Sequence, residues 1–99
     1  MKIPKSFELF GQTIRVNYDD AQCKKGDCYG YVIWVQNSIT LSETDDEYKV
    51  CDEHLSQTFL HEFYHFVLKK SGYNNLADNE VLVNSLANAH QQLYKTAKY

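Results

Sequence analysis

Apolar and polar residues alternate along the first half of the chain. Ile14, Val16 and Tyr18 stand two apart across Arg15 and Asn17, the period of a strand with one buried face. Phe7 to Phe10 leads into this run, and the Gly11-Gln12 pair between them suits a two-residue hairpin turn. Tyr31-Val32-Ile33-Trp34-Val35 is β-branched and aromatic. After a turn at Gln36-Asn37-Ser38, Ile39 and Leu41 alternate with Thr40 and Ser42, which predicts a second hairpin. Between the hairpins, Asp19 to Gly30 reads as a polar loop, and Ser42 to Cys51 reads as an acidic connection.

From Asp52 the period changes. Leu55, Phe59, Phe63, Phe66 and Val67 recur at three- and four-residue steps, one buried stripe of a helix. Asp52 or a polar neighbour is the expected cap, Lys69-Lys70 complement the helix dipole at the far end, and Gly72 suits a left-handed stop. A second helix is expected from about Leu76 or Asp78 to Lys95, with Leu82, Leu86, Ala89 and Leu93 as its stripe. Two hairpins followed by two helices predict an α+β fold, a small sheet packed on two C-terminal helices, in one domain over residues 1–99.

Composition narrows the function classes. An apolar fraction of 43% with 14% aromatic residues describes a folding chain. A net charge of -3, with scattered lysines and Lys24-Lys25 beside Asp27, argues against nucleic acid as a direct partner. No apolar run approaches the ~20 residues a membrane span needs, and the basic start Met1-Lys2 has no hydrophobic segment behind it. Three cysteines, Cys23, Cys28 and Cys51, read most simply as reduced thiols in the cytoplasm.

Candidate chemistry lies on the first helix, at His61-Glu62-Phe63-Tyr64-His65. At about 100° per residue the two histidines lie about 40° apart and one turn along the axis, so both rings can reach one ion. Glu62 falls on the same side, beside that ion, where a general base for water belongs. Apart from these three motif residues, every position from Thr58 to Val67 is uncharged. The bland reading, two ordinary helix histidines, leaves Glu62 among bulky aromatics without a purpose.

A catalytic zinc site takes a third protein ligand and keeps an open position. Asp78, Glu80 and His90 are the downstream candidates. Glu80 fits best, because a chain reversing after Gly72 sets a residue one turn into the returning helix level with the histidines. Its bland reading is a first-turn carboxylate favoured by the helix dipole. Asn84, one turn further on the same face, can accept a hydrogen bond from a ligand imidazole. The small Ala87 lets the two helices approach.

The His-Glu-x-x-His motif followed by Glu80-Val81-Leu82-Val83-Asn84-Ser85-Leu86-Ala87 resembles the gluzincin arrangement. More narrowly, it resembles the ImmA/IrrE-type metallopeptidases of phages and mobile elements. The resemblance is specific over residues 58–87 and only architectural over residues 1–50. Val83 stands where family members often have a smaller residue, and family members generally carry extra helices or an attached domain. It implies a zincin-like core, Zn2+ held by His61, His65 and Glu80, and peptide-bond hydrolysis with Glu62 as base. The implied substrate is a peptide or protein, and repressor cleavage within the family suggests a regulatory one.

Several roles stay open in the sequence. Tyr31, Tyr73 and His90 are candidate donors to the tetrahedral intermediate. The strand around Ile39 to Leu41 is a candidate for pairing with an extended peptide. Cys23, Cys28, Cys51 and His54 are candidate ligands of a second, structural metal. Asp45-Asp46-Glu47 reads as a solvated acidic loop that could flank the cleft and favour basic peptides. The rival function is a zinc-binding interaction module of phage origin without proteolysis. The oligomeric state is left open.

Overall fold

In the computed structural model, which describes residues 1–99, the alternation at Ile14 and Val16 becomes strand β2 (Gln12–Tyr18), with both side chains buried. Tyr18, at the strand end, is instead exposed. Strand β1 (Ser6–Leu9) pairs with β2 antiparallel, Leu9 opposite Gln12. The turn is therefore Phe10-Gly11, one residue earlier than expected. Both carry positive φ, 50° and 79°, as a two-residue type I′ turn requires, while Gln12 is held in the ladder.

Asp19 to Gly30 is not simply a loop. Asp19 accepts a hydrogen bond from the Gln22 amide at 3.1 Å and caps helix α1 (Asp20–Lys25). The helix ends with Cys28 N–H donating to Cys23 C=O at 3.0 Å and Asp27 N–H to Lys24 C=O at 3.1 Å. Asp27 takes the left-handed position there, at φ 53°. The Asp20 carboxylate ties α1 to the following connection by accepting from the Glu43 amide at 2.8 Å and the Thr44 hydroxyl at 3.0 Å. These bonds, the Glu43 amide first, hold its carboxyl below the usual range.

Strand β3 (Gly30–Ile33) stops short of the expected Val35, because Trp34–Gln36 wind into a single 3-10 turn closed by Asn37 in the left-handed region. Strand β4 (Ser38–Leu41) then runs antiparallel to β3 and parallel to β2, giving a mixed sheet of order β1-β2-β4-β3. All four β4 residues are buried. The acidic connection folds into a small hairpin, β5 (Thr44–Asp45) and β6 (Tyr48–Lys49).

Helix α2 (Asp52–Lys70) lies against the sheet and buries Phe59, Leu60, Glu62 and Phe66. Its N-cap is Cys51, with no side-chain cap bond, so Asp52 is a first-turn residue and not the expected cap. Gly72, at φ 87°, stops it as expected, and Tyr73 N–H returns to Leu68 C=O at 2.9 Å. Ile14, Val16, Ile39 and Leu41 from the sheet meet Phe59, Leu60 and Phe66 from α2 in the core. Each such side chain contributes roughly 1.5–3 kcal/mol on burial.

The returning segment is a short helix α3 (Asn74–Ala77), then helix α4 (Glu80–Thr96) capped by Asn79, whose side chain accepts from the Leu82 amide at 3.0 Å. The buried residues of α4 are Val83 and Ala87, not the expected stripe. Leu82 and Leu86 are half-buried, whereas Ala89 and Leu93 face out. Polar contacts to α2 set this rotation. Asn84 meets His61, His90 meets Tyr64, and Gln91 donates to Glu53 C=O. The class is α+β, with one mixed sheet of 4 strands and 4 helices. No helix is long and apolar enough to cross a membrane.

Candidate metal centre

The turn spacing of α2 and the reversal through α3 bring three side chains to one point. His61 Nε2 and His65 Nε2 are 3.0 Å apart. Glu80, on the first turn of α4, sets Oε2 3.0 Å from His61 Nε2 and Oε1 3.0 Å from His65 Nε2. These are the only three or more His, Cys, Asp or Glu residues in the chain grouped closely enough to hold a metal ion.

Partners on the far side of each ring decide what faces inward. His65 Nδ1 lies 2.6 Å from the Ala77 carbonyl, and His61 Nδ1 lies 2.7 Å from Asn84 Oδ1. A carbonyl oxygen only accepts, so each Nδ1 is the donor, and each Nε2 is left to face the other ring and the Glu80 carboxylate. With Nδ1 as its donor, each ring can offer the Nε2 lone pair as a metal ligand beside the carboxylate, 3.0 Å away. Such a group could hold a metal ion. Two imidazoles and a carboxylate form a donor set that suits zinc, and tetrahedral ligands at about 2.0–2.1 Å stand roughly 3.3 Å apart, close to the spacing here. The residues fit the ion.

Glu62 stands beside this group but outside it. It is 7% exposed, and its carboxylate makes no hydrogen bond. Burial, with Glu80's negative charge second, pushes its carboxyl up to about 8. Glu62 and His65 border two adjoining hollows. One, of about 420 Å³, runs past His61, Glu80, Asn84, Gln57 and Tyr29. The other, of about 260 Å³, runs past Tyr31, Trp34, Lys69 and Asp78. Gly30 borders both, so edge strand β3 forms one wall of a continuous cleft. A Cβ at Gly30 would stand 2.8 Å from Thr58 Cγ2 and 3.0 Å from the Thr40 carbonyl. Only glycine lets β3 lie this close to α2, one turn before His61.

The remaining candidates divide. Of the possible intermediate donors, Tyr31 borders the second hollow, Tyr73 is exposed in the link to α3, and His90 is occupied by the Tyr64 hydroxyl at 2.9 Å. His90 sits ten residues beyond Glu80, about 15 Å along the helix, too far to join the ligands. Asp78 lines the cleft without entering the ligand group. Strand β4, the expected peptide partner, has β2 and β3 on its two sides and no free edge. The free edge beside the site belongs to β3.

Cys23 and Cys28 do meet, thiol to thiol, at the end of α1, and burial, with Cys28 next, pushes the Cys23 thiol up to about 11. Cys51 is exposed, and His54 packs edge-on against the Tyr29 ring at 4.6 Å. The four do not form a second metal site. Asp45 and Asp46 border a third hollow, of about 380 Å³, that shares Cys28 and Tyr29 with the cleft. The Ala77 carbonyl was invisible to residue-type reasoning, since a backbone acceptor leaves no mark on the sequence. Only a recognised α3 would have pointed to it.

No protein-family model, curated protein or solved structure matches this chain.

Proposed function

We propose that the chain is a zinc-dependent peptidase with His61, His65 and Glu80 as ligands and Glu62 as general base. The observation that carries this reading is the convergence of His61 Nε2, His65 Nε2 and the Glu80 carboxylate at 3.0 Å beside Glu62, a buried residue whose carboxylate makes no hydrogen bond. A purely structural zinc site has no use for Glu62. Zinc, when bound, supplies a Lewis acid that acidifies water and polarises a carbonyl. Glu62 takes the proton from the attacking water and returns it to the leaving amine. With zinc beside it the carboxylate is favoured in its ionised form, the form that accepts a proton from water.

The substrate is a peptide or protein segment lying extended along β3, hydrogen-bonded to its free edge, with Tyr31 at hand to donate to the intermediate. This takes the place of pairing at β4. By analogy with the ImmA/IrrE-type family, the protein cleaved is a regulatory one. Digestion of a mixed peptide library by zinc-loaded protein, read by mass spectrometry, tests the proposal. Cleavage by wild type, at least about 10³-fold slower in Glu62→Gln, is the expected outcome. Equal cleavage by the two proteins removes Glu62 from the mechanism.

One observation favours the rival, a zinc-holding module that binds a partner without cutting it. Leu82, Leu86, Ala89 and Leu93 align along α4, and the last two are exposed, Leu93 by 67%. Zinc binding without cleavage of any peptide is the outcome that selects this reading.

A further inference from the structure

The hollow on the Tyr31 side of Glu62 contains a lysine with no ion-pair partner. Lys69 Nζ sits 5.0 Å above the centre of the Trp34 ring. Its neighbour Lys70, 6.0 Å from the same ring, is engaged by Gln12 Oε1 at 2.6 Å. Lys69 has no such partner. None of the chain's ion pairs includes it, and Asp78, which borders the same hollow, is not within ion-pair distance. The lysine is half-buried, and the indole face fixes its ammonium by cation–π attraction while leaving its donors free.

The location turns this into a question of specificity. The hollow shares Glu62, His65 and Gly30 with the space before the three ligands. A chain lying along β3 across the metal centre must therefore put a side chain into it, next to the bond under attack. The wall is Trp34 and Val32, the rim carries Lys69 together with the carboxylates of Glu62 and Asp78, and the volume is about 260 Å³. An apolar stem suits the Trp34 and Val32 wall, and an anionic end supplies the partner that Lys69, the one cation of the hollow, lacks. At the other end of the cleft acidic groups outnumber the cation, with Asp20, Asp27, Asp45 and Asp46 around the third hollow and Lys24 already paired with Asp46 at 3.5 Å. A peptide carboxylate is repelled there and drawn towards Lys69.

We infer that the Trp34–Lys69 hollow is a subsite for an acidic residue, glutamate above all, flanking the scissile bond. The inference rests on the peptidase reading for the word scissile, but the binding preference stands by itself. The bland role for Lys69, complementing the dipole at the end of α2, affects stability and leaves ligand choice untouched.

Trp34 is the chain's single tryptophan, so its fluorescence reports on this hollow alone. The test titrates zinc-loaded Glu62→Gln protein, which holds peptides without turnover, with capped hexapeptides identical except for Glu, Gln or Lys at each position in turn. At one position the Glu peptide shifts Trp34 emission and binds about tenfold or more tightly than its Lys counterpart, as a charge-assisted hydrogen bond implies. Adding Lys69→Arg keeps that order, and adding Lys69→Glu reverses it. Equal binding of the three peptides at every position, or an order unchanged by Lys69→Glu, overturns the subsite. Library cleavage by wild type without a charge preference overturns the subsite alone. Charge-selective binding without cleavage overturns the peptidase reading alone.

Discussion

Glu62 carries the largest electrostatic cost in the molecule, and that cost has a pH signature. Burial pushes its carboxyl up to about 8 in the folded protein, against the ordinary 4.5 of a glutamate. The folded state therefore holds this proton more tightly than the unfolded state. Between those two values folding stability falls as pH rises, and above about 8 the penalty is complete. In metal-free protein it amounts to something on the order of a few kcal/mol. Thermal unfolding of metal-free wild type and Glu62→Gln checks this. The two should melt alike near pH 4.5, with the variant increasingly more stable up to pH 9. A difference that does not vary with pH contradicts it. Zinc should shrink the gap, because a nearby dication favours the ionised carboxylate.

Among the elements, β3 and α4 set the geometry of the cleft, and each is held by one local feature. For β3 it is Gly30, where an added Cβ would press on Thr58 and on the Thr40 carbonyl at 2.8 and 3.0 Å. Gly30→Ala should cost about 1–3 kcal/mol and push the edge strand off α2. Urea unfolding gives the first effect, and faster amide exchange over Tyr31 to Ile33 than in wild type gives the second. Unchanged stability and exchange would mean that β3 is not held by this contact. For α4 the feature is the polar seam Glu80, Asn84, His90 and Gln91. Hydrophobic periodicity pointed to Leu82, Leu86, Ala89 and Leu93, yet the buried pair is Val83 and Ala87. Periodicity finds a helix from its apolar stripe, but hydrogen bonds to His61, Tyr64 and Glu53 determined which side of this one turned inward.

Across the whole molecule, what was legible followed the range of the interaction. Of the α2 stripe, Leu55, Phe63 and Val67 are only half-buried, and Leu60 takes their place in the core. Its Phe59 and Phe66, the Gly72 stop and the strand at Ile14 and Val16 are local, and they could be read directly. So could His61, His65, Glu80 and Asn84, because helical spacing and one short reversal determine where they meet. The parallel pairing of β2 with β4 was not legible, since alternation gives a strand's buried face but not its neighbours. Helix α1 was hidden in a polar stretch whose Asp19 cap and Asp27 stop resemble turn residues. The Ala77 carbonyl is a backbone acceptor that no residue type marks, and the Trp34–Lys69 contact joins segments far apart in the chain. Neither has a spacing to read.

The central claim is that His61, His65 and Glu80 together hold one zinc ion and that Glu62 does not take part in holding it. Zinc titration of purified, metal-free protein, with native mass spectrometry for stoichiometry, tests it most directly. Wild type and Glu62→Gln should each bind about one ion per chain. Asn84→Ala should bind it about 10–100-fold more weakly, through loss of the His61 Nδ1 partner. His61→Ala and Glu80→Ala should lose it at concentrations that saturate wild type. Wild type that takes up no zinc, or Glu80→Ala that binds it as tightly as wild type, contradicts the account.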